Sequence, residues 1–300
     1  MVNNYMKTIC LLLTIIFFFC QPAYCHALEW KRLHEEADKT DASDILGYLQ
    51  NNPDSIDSLY KLGLVYLNLH KDTEAQEVFK KILNLQPSTP EAKWGLAELL
   101  RRKHDVGKSE DLINEVINSS PEFVPAYITL AYIKYSQFKF EDSLRLALKV
   151  IEKGRERVDL SNYTRAYLIV GANKGMIAHY GGPISKLING TAVLSNLRKA
   201  QKLQPDSSAV MFGLGSFYLL APGFAGGDLG KAAEFLKKAI ELDPLFADSY
   251  VRLGQVYKVK GDEKKYKEYL NRALEIDSGN ELANDIKNGK CKFICVGRPR

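Results

Sequence analysis

The residues best placed to do chemistry are a glycine cluster, five histidines and two cysteines close to the end of the chain. Gly226-Gly227-Asp228-Leu229-Gly230-Lys231-Ala232 puts a Gly-Lys step ahead of a helical pattern. Phosphate-binding loops use that setting, aiming backbone N–H groups and a lysine at the phosphates. The full pattern needs glycine five residues before Gly230, where Ala225 stands, and a hydroxyl after the lysine, where Ala232 stands. Magnesium would lack its ligand. The segment therefore reads as a turn between helices.

His70 and His104 lie 34 residues apart and occupy the same turn of successive periods. Packed helices sit on the order of 10 Å apart, whereas zinc needs nitrogens within about 2 Å. These two are expected to be solvated turn residues. No His-Glu-x-x-His, Gly-x-Ser-x-Gly or oriented Cys/His pair stands out. Carboxylates alternate with lysine along helix faces, as in Glu74, Glu77, Lys80 and Lys81, which suits intrahelical pairing. The expectation is a protein without catalytic residues, cofactor or metal.

Cys10, Cys20 and Cys25 fall in the first 25 residues, leaving Cys291 and Cys295 as a C-x3-C pair. In an oxidising compartment such a pair closes a small disulfide loop. Two thiols make a poor zinc site, and a reactive redox pair reads C-x-x-C. Lys7, the apolar run from Ile9 to Cys20, and then Gln21-Pro22-Ala23-Tyr24-Cys25 describe a secretory signal peptide over residues 1–25. The run is short of the roughly 20 residues that span a bilayer. Localisation is thus expected to be periplasmic or secreted, with membrane contact only if the leader is retained or lipidated at Cys20 or Cys25. Asn118-Ser119-Ser120, Asn162-Tyr163-Thr164 and Asn189-Gly190-Thr191 match the glycan acceptor pattern, which matters only in a eukaryotic secretory pathway. The 41 basic and 36 acidic residues give a net charge of +5. The signs are interspersed and no basic run with interleaved aromatics emerges, which argues against nucleic acid.

The elements that must position any site follow from a period. Pro53, Pro87 and Pro121 are spaced by 34 residues, and the same place falls next at Arg155, Pro205, Pro244 and Ser278. The longer steps, to Pro205 and Pro244, hold insertions of 16 and 5 residues. Leu59, Leu62-Gly63 and Tyr66 are followed by Ala75, Phe79, Ile82 and Pro87. The kind recurs in Leu214-Gly215, Tyr218, Ala232, Leu236, Ala239 and Pro244, and again in Tyr250, Leu253-Gly254, Tyr257, Tyr266, Leu270 and Ala273. Apolar residues three and four apart form one stripe per helix. Glycine or alanine after leucine lets two helices approach, and proline stops the second helix. No unit buries its stripe alone, so the copies must stack.

From about residue 54 to 278 this pattern resembles the tetratricopeptide-repeat (TPR) family. The resemblance implies an all-α fold, a right-handed α-solenoid of helix-turn-helix repeats. Residues 26–53 are expected to form an N-terminal cap, with Glu35 to Asn52 as a lone helix. Residues 54–155 hold repeats one to three, and 156–206 an irregular repeat. Its helices are expected at Tyr163 to His179 and about Pro183 to Gln204, around Gly181-Gly182. Repeats five and six occupy 207–278, and 279–300 is a short helix followed by a polar, mobile tail.

In this family the first helices line a concave surface. The resemblance places Tyr60, Leu64 and Asn68 there, then Trp94, Glu98 and Arg101, then Ile128, Tyr132 and Tyr135. Phe212, Ser216 and Leu219 follow, then Val251 and Gln255. Tyr60, Trp94, Tyr132 and Phe212 would form an aromatic lane. The lysine and asparagine clamp of chaperone-binding members is absent, since Tyr60 and Leu64 stand at its first places. The function implied is a protein–protein interaction scaffold that holds a protein or peptide partner. The alternative is a small-ligand-binding accessory protein: the irregular second half also loosely resembles the T-component of tripartite periplasmic (TRAP) transporters, and an apolar cavity lined from 163 to 220 would favour it.

Overall fold

The structure is a computed structural model and describes residues 29–296. The expected signal peptide lies outside the described residues. Helices α1 (residues 29–37) and α2 (Ala42–Asn51) precede the repeats. Helix pairs follow as α3 (Ile56–Asn68) with α4 (Asp72–Leu85), α5 (Pro90–Arg102) with α6 (Val106–Ser119), and α7 (Val124–Ser136) with α8 (Phe140–Lys153). Next come the long pair α9 (Leu160–Tyr180) and α10 (Pro183–Leu203), then α11 (Ser208–Leu220) with α12 (Leu229–Leu242) and α13 (Ala247–Val259) with α14 (Glu263–Ile276). A last short helix, α15, covers Glu281–Lys287. The fold is all-α, of the tetratricopeptide solenoid class.

Two expectations need correction. Glu35 to Asn52 is not one helix, because the chain breaks at residues 38–41 and α1 and α2 are separate. Nor is the described part of the tail a loose end: residues 291–296 are fastened to a helix face, as shown below.

The chain divides into two compact units. One runs to Thr129 and includes Lys153–Asp159; the other comprises Leu130–Glu152 and the residues from Leu160 on. In the first, Phe79 of α4 is fully buried between two glycines. A Cβ on Gly63 would come within 2.5 Å of the Phe79 ring, and one on Gly95 closer still. Gly63, which follows Leu62, and Gly95 are therefore the holes into which the aromatic of the helix between them fits. In the second unit, Gly215 does the same for Leu236, and Gly171 and Gly213 for Leu197. Leu168, Leu197, Val210, Met211 and Leu214 form the core around the long pair.

Four of the turns inside a pair are closed alike. Lys71 N donates to Tyr66 O, Asp105 N to Leu100 O, Lys139 N to Lys134 O and Asp262 N to Tyr257 O, all at 2.9–3.0 Å. This six-to-one bond needs a left-handed residue just before its donor. Those residues are His70 (φ 56), His104 (φ 61), Phe138 (φ 63) and Gly261 (φ 80). The two histidines are thus exposed turn residues of the backbone design. Asp105, Asp228 and Asp262 then accept backbone N–H bonds at the starts of their helices. This accounts for the glycine cluster at 226–232 as a turn, with Asp228 facing the N–H groups of Gly230 and Lys231.

Candidate partner-binding faces

In the first unit, the predicted lane residues project from the first helices α3 and α5. They are not open. Trp30, Leu33, His34 and Ala37 recur at helical spacing on one side of α1, and all four are buried. That stripe lies on the lane. The Trp30 ring meets Phe123 edge-on at 5.5 Å, and His34 lies 5.7 Å from the Tyr60 ring and 5.5 Å from Trp94. His34 Nε2 is 2.8 Å from the Tyr60 hydroxyl. Tyr60 is left 1% exposed and Trp94 4%. Burial holds the Tyr60 hydroxyl well above its ordinary pKa, with Glu91 and Asp159 adding to the effect.

The polar side of α1 is tied at its edges. Glu35 Oε1 pairs with Lys31 at 3.1 Å and with Arg155 at 2.8 Å. Glu36 pairs with Arg32 at 2.6 Å and Lys61 at 2.9 Å. Burial alone would raise the Glu35 carboxyl, but hydrogen bonds from Lys31 and Arg155 outweigh it and leave it lowered. The Lys61 hydrogen bond does most to lower Glu36, against burial and with help from Arg32. Leu64 is buried and Asn68 exposed, with its amide 3.5 Å from Asp38. Glu98 and Arg101 bind one another at 2.5 Å. Thr129 links them to the lane, accepting from Trp94 Nε1 at 2.9 Å and donating to Glu98 at 3.1 Å.

The second unit shows a different arrangement. Arg252, at 6% exposure on α13, donates through Nη1 to Ile294 O at 2.9 Å and to Gln255 Oε1 at 2.8 Å. Its Nη2 donates to Phe293 O at 2.9 Å. The Tyr180 hydroxyl donates to Lys292 O at 2.6 Å, and Phe293 N donates to Asp285 Oδ2 at 2.9 Å. The Phe293 ring lies 4.7 Å from Phe138 and stacks at 6.0 Å on Tyr135. Phe140 meets both Tyr135 and Phe138 edge-on. A disulfide joins Cys291 to Cys295 and closes the loop that carries these carbonyls. Burial pushes the Tyr135 hydroxyl up to about 12, against the pull of Arg252. Burial also lowers the Arg252 guanidinium, with Tyr135, Asp248 and Asp285 acting the other way.

Of the remaining expected residues, Tyr132, Phe212 and Ser216 are half-buried, and Ile128, Leu219, Val251 and Gln255 are buried. Phe212 packs 5.0 Å from Phe246, and Ser216 Oγ is buried without a hydrogen bond. The structure thus brings Tyr60 to Trp94 through His34, and Tyr135 to Arg252 through the loop. The residues missed by position-by-position reading are Trp30, His34, Phe123, Phe138, Tyr180, Arg252 and Phe293. The spacing of Trp30, Leu33, His34 and Ala37 was the one signal available for the first group.

Among known proteins, the family described as Tetratricopeptide repeat matches residues 56–89, 224–244 and 247–280. Anaphase-promoting complex subunit 3 of Schizosaccharomyces pombe is 24% identical over 225 residues, 75% of this chain. The chain spans only 31% of that relative's length. Among solved structures, the APC/C hetero-tetramer Cut9-Hcn1 is similar at a TM-score of 0.56 and 15% identity, covering 85% of this chain and 47% of that one. The human IFIT1 dimer with m7Gppp-AAAA is similar at 0.57 and 14%, covering 82% and 57%. At these identities the structural likeness is one of fold. The looser likeness to the TRAP T-component is not supported. Two hollows among the described residues lie elsewhere than 163 to 220: one between α1, α2 and α3, the other under the disulfide loop.

Proposed function

We propose that the chain is a non-catalytic scaffold of the tetratricopeptide-repeat kind that holds a protein partner by seating an amphipathic helix on the face of its first helices. One observation carries this reading. In the first unit that face already holds such a helix, the chain's own α1, by Trp30 and His34 on Tyr60, Trp94 and Phe123. Trp and Tyr are the side chains enriched at binding hot spots, because they offer large area at small entropy cost. A partner helix with an aromatic residue and a hydrogen-bonding ring four residues on would compete for the same place. The interspersed charge supports a protein partner over nucleic acid. The leader pattern and the disulfide together support a periplasmic or secreted setting.

The test is competition by a labelled synthetic peptide of residues 29–40. A Trp30→Ala/His34→Ala chain, its helicity checked by circular dichroism, should bind that peptide at least tenfold more tightly than the wild type. Adding Trp94→Ala should abolish the gain. Equal, weak binding by all three chains would mean that α1 is only packing, and the reading would fall.

A further inference from the structure

The second unit carries a recognition site of a different kind. Three successive carbonyls, of Lys292, Phe293 and Ile294, each accept a bond from a side chain on another helix, two of them from one guanidinium. Arg252 is buried and spends both terminal nitrogens on two of these carbonyls and on Gln255. Beside it, Phe293 enters a nest of Tyr135, Phe138 and Phe140. Read from the receptor's side, this is a cleft that takes an aromatic side chain and the free carbonyls next to it.

We propose that the Arg252 cleft is a binding site for a closed peptide turn bearing an aromatic side chain, that the C-terminal loop is its resident ligand, and that the Cys291–Cys295 disulfide is what keeps the loop in it. Two non-glycine residues of the loop, Cys291 (φ 55) and Ile294 (φ 61), have left-handed backbones. For a β-branched residue such as Ile294 this is a strained state, which persists only when the surroundings fix it. The ring closed by the disulfide is that constraint. A dithiol reductant opens it: one thiolate attacks a loop sulfur, the second displaces the mixed disulfide, and the reductant leaves as its own disulfide. Two electrons and two protons pass to Cys291 and Cys295. The open loop is then free to relax to ordinary backbone angles and leave. A hollow of about 160 Å³ already lies beneath it, lined by Gln255, Tyr266, Ile286 and the two cysteines. The vacated cleft keeps Arg252, Tyr180 and the aromatic nest ready for a second turn of the same chemistry. This inference does not depend on the helix-seating reading of the first unit.

The experiment uses the full chain and a labelled, disulfide-closed octapeptide of residues 289–296, without reductant. Cys291→Ser/Cys295→Ser should bind the octapeptide at least tenfold more tightly than the oxidised wild type, and lose amide-exchange protection at Phe293. Tyr180→Phe in the serine background removes one carbonyl donor without touching the buried charge, and should weaken binding severalfold. Arg252→Gln should weaken it further, with a thermal melt to confirm folding. Unchanged protection at Phe293 in the serine chain would overturn the disulfide as the latch. A released loop with no peptide binding would overturn the cleft as a site.

Discussion

At the scale of single residues, the turns give the sharpest account of why particular side chains stand where they do. His70, His104 and Phe138 occupy one backbone position in three successive repeats, and all three are left-handed. That conformation costs an L-residue roughly 1–2 kcal/mol, a cost glycine does not bear. Gly261, in the same place of a later repeat, shows the cheap solution. His104→Gly should therefore raise stability by about 1 kcal/mol, read as a higher urea midpoint at unchanged slope. Phe138→Gly should go the other way, although it relieves the same strain. Its ring packs on Phe140 at 5.6 Å and on Phe293 at 4.7 Å, and Lys292 lies over its face at 5.5 Å. Aromatic pairs are worth about 0.5–1.5 kcal/mol each beyond the area they bury. A gain from both variants would show that the Phe138 contacts are incidental to the loop.

At the scale of elements, α1 packs on the first helices through one apolar stripe and a set of ion pairs, and its docking should depend on pH. Glu35 and Glu36 are both lowered from an ordinary value of 4.5 by the bases they meet, Lys31, Arg155, Lys61 and Arg32. A carboxylate lowered by folding stabilises fully above its unfolded pKa and loses that contribution as pH falls through the lower folded value. Below about pH 4.5 the docking of α1 should weaken, and amide exchange or proteolysis at residues 29–37 should rise before the repeats open. Arg155→Gln should move that onset to higher pH. Much of this architecture was legible in the chain. The 34-residue step fixes α3 to α8, because a small residue facing a large one leaves its mark at each period. The long pair was legible too, since an insertion of 16 residues into a helix pair lengthens both helices. The occupants of the faces were not. Docked segments such as residues 29–37 and 291–295 obey no period, and the repeat pattern says which positions face the lane but not what fills it. Arg252 shows the limit well. It falls among buried apolar neighbours and has no phase of its own, so only the carbonyls of residues 293 and 294 reveal its purpose.

At the scale of the whole molecule, the two docked segments point to a common logic. Each compact unit has a helix face covered by another segment of the same chain, residues 29–37 in one and 291–296 in the other. The means of attachment differ. The first is held by aromatic burial and ion pairs, which acid should loosen; the second by carbonyl bonds and a disulfide, which a thiol should loosen. A segment held by a disulfide is useful only where disulfides persist, so the C-terminal loop and the N-terminal leader pattern make one joint prediction. Protein recovered from a cell envelope and alkylated while denatured should take up no iodoacetamide without reductant and two equivalents after reduction. Its mass should correspond to a start near residue 26, since Cys10, Cys20 and Cys25 would have gone with the leader. Alkylation at further cysteines would show a retained leader, and two equivalents without reductant would show a loop that is open where the protein works. The second outcome would reverse the direction of the latch: the vacant cleft would be the resting state, and oxidation the event that closes it.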